Sequence, residues 1–496
     1  MGTSITALLI GVVIAINAII YAVTNAFGLY LYVPENYDMS VSGMTDVLFE
    51  DVKDIETVKV IFCREKTLLD TGSIDEVVAF YETAKEFAER YGSFVEIECV
   101  NLITKRNQDG ELVDLSQYQI EQEDGTPYPM YESSVVFVSR YGHKVISDIA
   151  SATCVYDTSD SSSDSYGQLT AYNGEEVLAS MLLWVLKTEH PKAYFTTFHG
   201  EVADVSFANM LSCAGYEIDT IDLRSVDMIP EDAGMVVISN PVKDFERAID
   251  KSGVYSEIEK LRAYLDGGGS LYVAIDPYVE QLDVLEEFLA EYGIGISETE
   301  RDGKSLRNIV RDSDNAVTAD SFTLIADIPE GTELGGAITE KLSSYGSTGV
   351  LVRECAALVC SGNAEPMLVA SPASEIYAGG ERVGSEGGYC LAAMSVNEND
   401  NGTESRVFVV PSIYLTASDM IVGTGYANRN FIYSVFEYTY GLSELPYGCK
   451  TTVFRDNGML ENLTMGTARI YTAIIMAVPA AIALTGAIII IKRKNR

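Results

Sequence analysis

The sequence predicts a membrane-anchored α/β protein. Two extracytoplasmic α/β domains are expected between an N-terminal and a C-terminal transmembrane helix, the second domain a doubly wound, mostly parallel sheet of the Rossmann or flavodoxin type. Three observations predict this. Short β-branched runs alternate with segments of helical periodicity, as βαβ units do. Uncharged apolar runs stand at 5–23 and 470–491, each close to the roughly 20 residues that a bilayer requires. The 496 residues, 47% apolar and 10% aromatic, suit a folded chain of two or more domains.

Charge narrows the partners. The formal net charge is −39. Phosphate binding needs clustered Lys and Arg, so nucleic acid is excluded as a partner, as is docking of a broad face on anionic lipid. The acidity reads as a solvated surface. The exception is the tail 492–496, where Lys492, Arg493, Lys494 and Arg496 follow the second apolar run directly. The positive-inside rule places that tail in the cytoplasm. Pro479 within the run is tolerated in a membrane helix. The first run lacks the basic flank and small-x-small site of a secretory signal, the competing reading, so an uncleaved anchor is expected. Two spans put both termini in the cytoplasm and residues from about 30 to 468 outside it. All eight cysteines fall in that external portion, where oxidation is permitted but not required. Most stand in apolar strand contexts that favour buried free thiols, and no Cys-x-x-Cys occurs.

The elements follow in order. Residues 34–155 form a small α/β domain, opening with a short capped helix near 44–48. Strands are expected at Val58–Cys63, Phe94–Val100 and Ser133–Ser139, with Lys144–Ile149 as a possible hairpin partner. Apolar residues at helical spacing (Val77, Val78, Phe80, Tyr81, Ala84, Phe87, Ala88) make a helix of Ile74–Tyr91. Residues 156–170 are a polar loop whose Asp/Ser run fails the calcium-loop spacing, since Ser162 and Gln168 stand where Gly and Glu are needed.

Residues 171–441 form the second domain. A broadly apolar helix, Asn173–Glu189, feeds a strand at 192–198. Then come a helix at Ser206–Ala214, strands at Tyr216–Leu223 and 235–239, a helix at Ser256–Leu265 stopped by three glycines, a strand at 270–275, and a helix at Val279–Tyr292. From 297 to 420 short apolar runs (350–352, 367–370, 390–394, 406–410) read as inserted strands that partly extend the sheet. Asn428–Gly441 is a helix packed on it, and 442–468 is a connector to the second span.

In such sheets ligands sit beyond the carboxyl ends of the strands. His199, Gly200 and Glu201, Asn240, and Asp276 fall at three such ends and form the candidate binding edge. Each has an ordinary structural explanation. Glu201 reads as a first-turn residue of the next helix, suited to its positive end, and His199 as a turn residue. The chain has only three histidines (His143, His190, His199), none at metal-motif spacing, so neither a metal nor another cofactor is expected. Asp276-Pro277 and Asn240-Pro241 supply no nucleophile, Gly-x-Ser-x-Gly is absent, and so is a P-loop.

Several short motifs resemble the auxiliary component of gliding-motility type ABC transport systems, the GldG-like family. They are Tyr37-Asp38-Met39-Ser40 after the first span, the helix Gly174–Lys187 leading into Lys192–Glu201, the helix–glycine–strand at 257–277, and the Gly-Tyr-Ala-Asn-Arg-Asn-Phe stretch at 425–431. A final span with a basic tail completes the pattern. The family usually shows Gly-His-Gly-Glu where this chain has Phe198-His199-Gly200-Glu201. The resemblance implies a non-enzymatic companion of an ABC-2 type permease and its cytoplasmic ATPase. The alternative is an extracytoplasmic hydrolase acting on wall glycan through paired carboxylates such as Glu201 and Asp276.

Overall fold

A computed structural model describes residues 41–453, except 51, 53–55, 72–74, 120–125, 157–166, 203–204, 248–255 and 423–424. Among the described residues no helix is long and apolar enough to cross a membrane. Both apolar runs, most of the polar loop, residues 454–468 of the connector and the basic tail lie outside them.

The N-terminal part contains α1 (Met44–Phe49), β1 (Val58–Phe62), α2 (Lys66–Thr71), α3 (Glu76–Tyr91), β2 (Val95–Asn101), β3 (Arg106–Asn107), β4 (Val135–Val138) and β5 (His143–Ile146). Its five strands form one sheet in the order β3-β2-β1-β4-β5. β1 and β2 are parallel because α3 crosses between them, and β4–β5 is the expected hairpin. Asp75 caps α3 by accepting from the Val78 N–H at 2.9 Å. α1 differs from expectation: Gly43 occupies its N-cap and provides no side-chain cap.

Next come α4 (Ile149–Thr153), β6 (Cys154–Tyr156), β7 (Leu169–Tyr172) and α5 (Gly174–Trp184), then β8 (Lys192–Thr196), α6 (Val205–Cys213), β9 (Glu217–Ile221) and β10 (Ala233–Ser239). They are followed by α7 (Glu257–Asp266), β11 (Ser270–Ala274), α8 (Asp283–Glu291) and β12 (Ile294–Ile296). α7 begins with a reciprocal capping box between Ser256 and Glu259. α8 starts four residues later than the apolar spacing suggests, because Asp276 accepts the Tyr278 N–H at 2.8 Å and bends the intervening chain into a turn.

The remaining strands are β13 (Glu298–Arg301), β14 (Lys304–Arg307), β15 (Ile309–Arg311), β16 (Thr323–Ala326), β17 (Val350–Arg353), β18 (Leu358–Cys360), β19 (Ala364–Val369), β20 (Glu375–Ala378), β21 (Glu381–Gly384), β22 (Cys390–Glu398), β23 (Glu404–Val410) and β24 (Thr452–Val453). The remaining helices are α9 (Glu333–Ser344), α10 (Ser418–Ile421) and α11 (Asn428–Tyr440).

The large sheet has nine strands, in the order β12-β18-β22-β23-β11-β10-β8-β9 with β19 beside β22. Its first half is parallel, β9-β8-β10-β11-β23. The expectation of a mostly parallel sheet is corrected beyond that point: β22, β19, β18 and β12 are antiparallel. The reason is local. Five residues, 399–403, join β22 to β23, and the Asn399 N–H donates to the Thr403 carbonyl at 2.8 Å. A loop that short can close only an antiparallel hairpin. The runs at 367–370 and 390–394 enter this sheet, whereas 350–352 (β17) pairs with β16 in a separate ribbon.

β11 is buried along its whole length. Tyr272 and Ala274 pack with Phe207 of α6 and Phe431 and Phe436 of α11. Leu271 and Val273, pointing the other way, pack with Ile258 and Leu261 of α7 and Leu285 and Phe288 of α8. Helices therefore cover both faces, which explains why the central strands are continuous apolar runs rather than alternating ones.

The first turn of α5 joins parts far apart in sequence. Glu175 accepts the Ser42 N–H at 3.0 Å, the Ser42 hydroxyl at 2.6 Å and the Lys450 N–H at 3.2 Å. Glu176 accepts from Arg429 at 3.0 Å and from the Tyr433 hydroxyl at 2.5 Å, both on α11. Burial opposes the charge of Arg429, but Glu176 beside it more than compensates and raises its pKa. Gly174 is required at this turn: a Cβ there would lie 1.9 Å from the Tyr172 hydroxyl, which bonds Thr83 of α3 at 2.9 Å. Removing one partner of a buried ion pair strands the other charge. Glu176→Gln should therefore lower unfolding free energy by about 3–5 kcal/mol in urea titrations. An unchanged urea midpoint would show that Arg429 finds another counter-charge.

Candidate functional site

The expected binding edge separates into two places. At the first, β8 runs into a turn held by positive φ angles at Phe198 (92°) and Gly200 (80°). A Cβ on Gly200 would lie 2.4 Å from the Val242 side chain. The turn is fastened to the chain after β10, whose Val242 and Lys243 N–H groups both donate to the His199 carbonyl at 2.9 Å.

This turn drives His199 inward, to 4% exposure. Its Nδ1 lies 3.0 Å from Glu201, and its Nε2 lies 3.1 and 3.2 Å from the two carboxylate oxygens of Glu257. The ring stacks on Phe245 with centroids 4.0 Å apart. Both ring nitrogens face carboxylates, so both donate and the ring is an imidazolium. Burial opposes that charge. The hydrogen bonds and charges of Glu201 and Glu257 outweigh it and lift the His199 pKa to about 9. Burial likewise opposes ionisation of Glu201, but the bond from His199 holds its carboxyl below the usual range.

One sequence expectation is corrected here. Glu201 is not in the first turn of the following helix, which begins at Val205. Its second oxygen instead accepts the His199 N–H at 2.7 Å. His199 does lie in the expected turn, buried rather than open to solvent. The partner the sequence reading missed is Glu257, 1% exposed at the start of α7. A signal was present, since Glu257 shares the i, i+4, i+8 face of Leu261 and Leu265, both fully buried.

Asn240 ends β10 with φ 54°, and its N–H donates to the Ala274 carbonyl at 2.8 Å. Its side-chain oxygen is buried without a hydrogen-bond partner. Asp276 lies at the second place. Its carbonyl accepts from Arg307 at 2.8 Å, and Arg307 also binds Glu286 at 2.6 Å. Beyond this strand end opens a cavity of about 650 Å³. Tyr278, Gln281, Glu298, Arg307, Phe322 and Tyr377 are among the residues that line it. The hairpin β13–β14 and the β20–β21 turn contribute its far wall. Of these residues Glu298, Arg307, Phe322 and Tyr377 come from the 297–420 stretch of short apolar runs. Among the described residues no group of His, Cys, Asp and Glu is arranged to hold a metal ion.

No protein-family model and no curated protein matches the chain. Among solved structures it is similar to the N-terminal domain of mmIFT52, at 15% identity and TM-score 0.36, over 50% of this chain and 96% of that one. It is also similar to a β-galactosidase from Rahnella sp. R3, at 11% identity and TM-score 0.27, over 53% of this chain and 33% of that one. A ThuA-like protein from Bacteroides uniformis gives 11% identity and TM-score 0.29, over 50% of this chain and 90% of that one.

The His199 cluster sets a pH dependence. A histidine whose pKa rises on folding stabilises the native state fully below its unfolded value, and that contribution is lost as pH rises through the folded value, here about 9. The linked free energy is on the order of 3 kcal/mol. Urea midpoints of the wild type should fall between neutral pH and about pH 10, and His199→Gln should flatten that decline. A wild-type midpoint that stays level across the range would remove the cationic histidine from the account.

Proposed function

We propose that the chain is a non-catalytic, membrane-anchored auxiliary subunit of an ABC-2 type transporter. Its external region, two α/β domains of which the second is doubly wound, serves binding and assembly. The observation that carries this reading is the convergence of the two ends of the described chain on Glu175. Ser42, which follows the first apolar run, and Lys450, which precedes the second, donate to the same carboxylate. β24 then pairs with β7, directly before α5. Entry and exit at one point is what a region anchored by two neighbouring spans needs. The GldG-like motifs add the partners: a permease and its cytoplasmic ATPase.

The strand-end edge favours binding over turnover. Glu201 commits both oxygens to His199, and Asp276 commits one to the Tyr278 turn. Glu201 is thereby not held as a free acid or base, which counts against glycan hydrolysis through that pair. The cavity beyond β11 offers an aromatic and charged lining of a size that suits a ligand.

The test is purification of the full chain in mild detergent, with co-eluting proteins identified by mass spectrometry. Recovery of an ABC permease with its ATPase supports the proposal. A chain that elutes alone, where other membrane complexes survive, overturns it. Asp276→Ala loses one turn hydrogen bond, about 1 kcal/mol, and should leave the complex intact. Glu201→Ala leaves His199 with Glu257 as its one carboxylate partner and should reduce the yield of folded chain.

A further inference from the structure

β18 and β22 are adjacent antiparallel strands, registered with Leu358 opposite Cys390. Cys360 therefore lies diagonally across from Cys390. Diagonal positions on one face of a sheet are within side-chain reach. Their sulfurs are in contact at 3.6 Å, although the residues are 30 apart in sequence. No other two cysteine sulfurs are in contact among the described residues. Cys63, Cys99, Cys213, Cys355 and Cys449 are buried, whereas Cys154, Cys360 and Cys390 are half-buried, and of these three only Cys360 and Cys390 are in contact with each other. Cys355, the nearest by sequence, turns its S–H to the Ala356 and Leu391 carbonyls at 3.3 Å.

We infer that Cys360 and Cys390 form a thiol–disulfide exchange site, which takes a disulfide oxidant and closes a cross-link between β18 and β22. Contact between the two sulfurs divides their roles. The bond between the two sulfurs favours the thiolate at Cys360, whereas the same neighbour and burial keep the proton on Cys390, whose sulfur also lies 3.3 Å from the Ala392 carbonyl. The Cys360 thiolate attacks one sulfur of the incoming disulfide RSSR. The S–S bond of RSSR breaks, a mixed disulfide forms on Cys360 and RS⁻ leaves. Cys390 then loses its proton and attacks the Cys360 sulfur of the mixed disulfide. The second RS⁻ leaves and the Cys360–Cys390 bond forms. The two protein thiols are oxidised and one RSSR is reduced to two RSH. β18 contributes only three residues to the sheet, so the cross-link would fasten a short strand that few backbone bonds hold.

The site itself does not depend on the transporter reading; its redox state in the cell does. The full chain in detergent is equilibrated with excess oxidised glutathione, then denatured, and its free thiols are counted. The count should fall by two from the eight of the reduced chain, with peptide mapping showing the Cys360–Cys390 link. Cys360→Ser, which lacks the attacking thiol, should keep all seven of its remaining thiols, whereas Cys390→Ala should lose one, held as a glutathione mixed disulfide on Cys360. A count that stays at eight in the wild type, or a loss of two thiols that persists in either variant, overturns the inference. Alkylation of intact cells before lysis then separates the two claims. A pair that oxidises in vitro but is found reduced in the cell upholds the exchange site and argues against export of this region.

Discussion

Two neighbouring glutamates in the first turn of α5 hold together most of what this chain brings from a distance. Glu175 gathers the segments around Ser42 and Lys450, and Glu176 neutralises Arg429 of α11. Both side chains are almost wholly buried. A carboxylate taken out of water needs either a counter-charge or several donors. Here each glutamate has what it needs from a different part of the chain. The position at a helix N-terminus adds the favourable end of the backbone dipole. An arrangement of this kind is exacting. It forms only when α3, β7, α5, α11 and the two outer segments are all in place.

The His199 cluster applies the same physics at the strand-end edge. The edge is where doubly wound sheets usually expose ligand-binding groups, yet here a histidine and two glutamates are turned on one another and sealed under Phe245. What remains open lies one strand further on, past Asp276. There the inserted hairpins raise a wall over the sheet and leave a cavity. The molecule thus closes one strand end with charge and leaves a cavity open at another.

The pattern of apolar runs made the parallel half of the sheet legible. β8, β10, β11 and β23 all lie where short apolar runs predict them, because burial on both faces leaves no alternation to misread. The antiparallel half was less legible. β18 and β19 are short, their residues mix Cys, Ala, Pro and Met, and their partners, β12 and β22, are not their neighbours in sequence. Of the edge residues, the sequence located His199, Gly200, Glu201, Asn240 and Asp276 correctly at strand ends. It could not tell that His199 and Glu201 turn inward on one another, nor that the cavity opens just past Asp276, from Pro277 on. That depends on the positive φ at Phe198 and Gly200 and on the Asp276 turn.

By itself the sequence determined the α/β class, the order of the central elements, the acidic surface and the two uncharged apolar runs. These follow from periodicity, composition and charge, which are local or additive properties of a chain. Only the tertiary structure decided that Glu257 meets His199 across 58 residues, that Glu175 receives both Ser42 and Lys450, and that Cys360 touches Cys390. A buried charge or thiol is defined by what surrounds it. Its neighbours come from packing between elements, and no spacing along the chain records them.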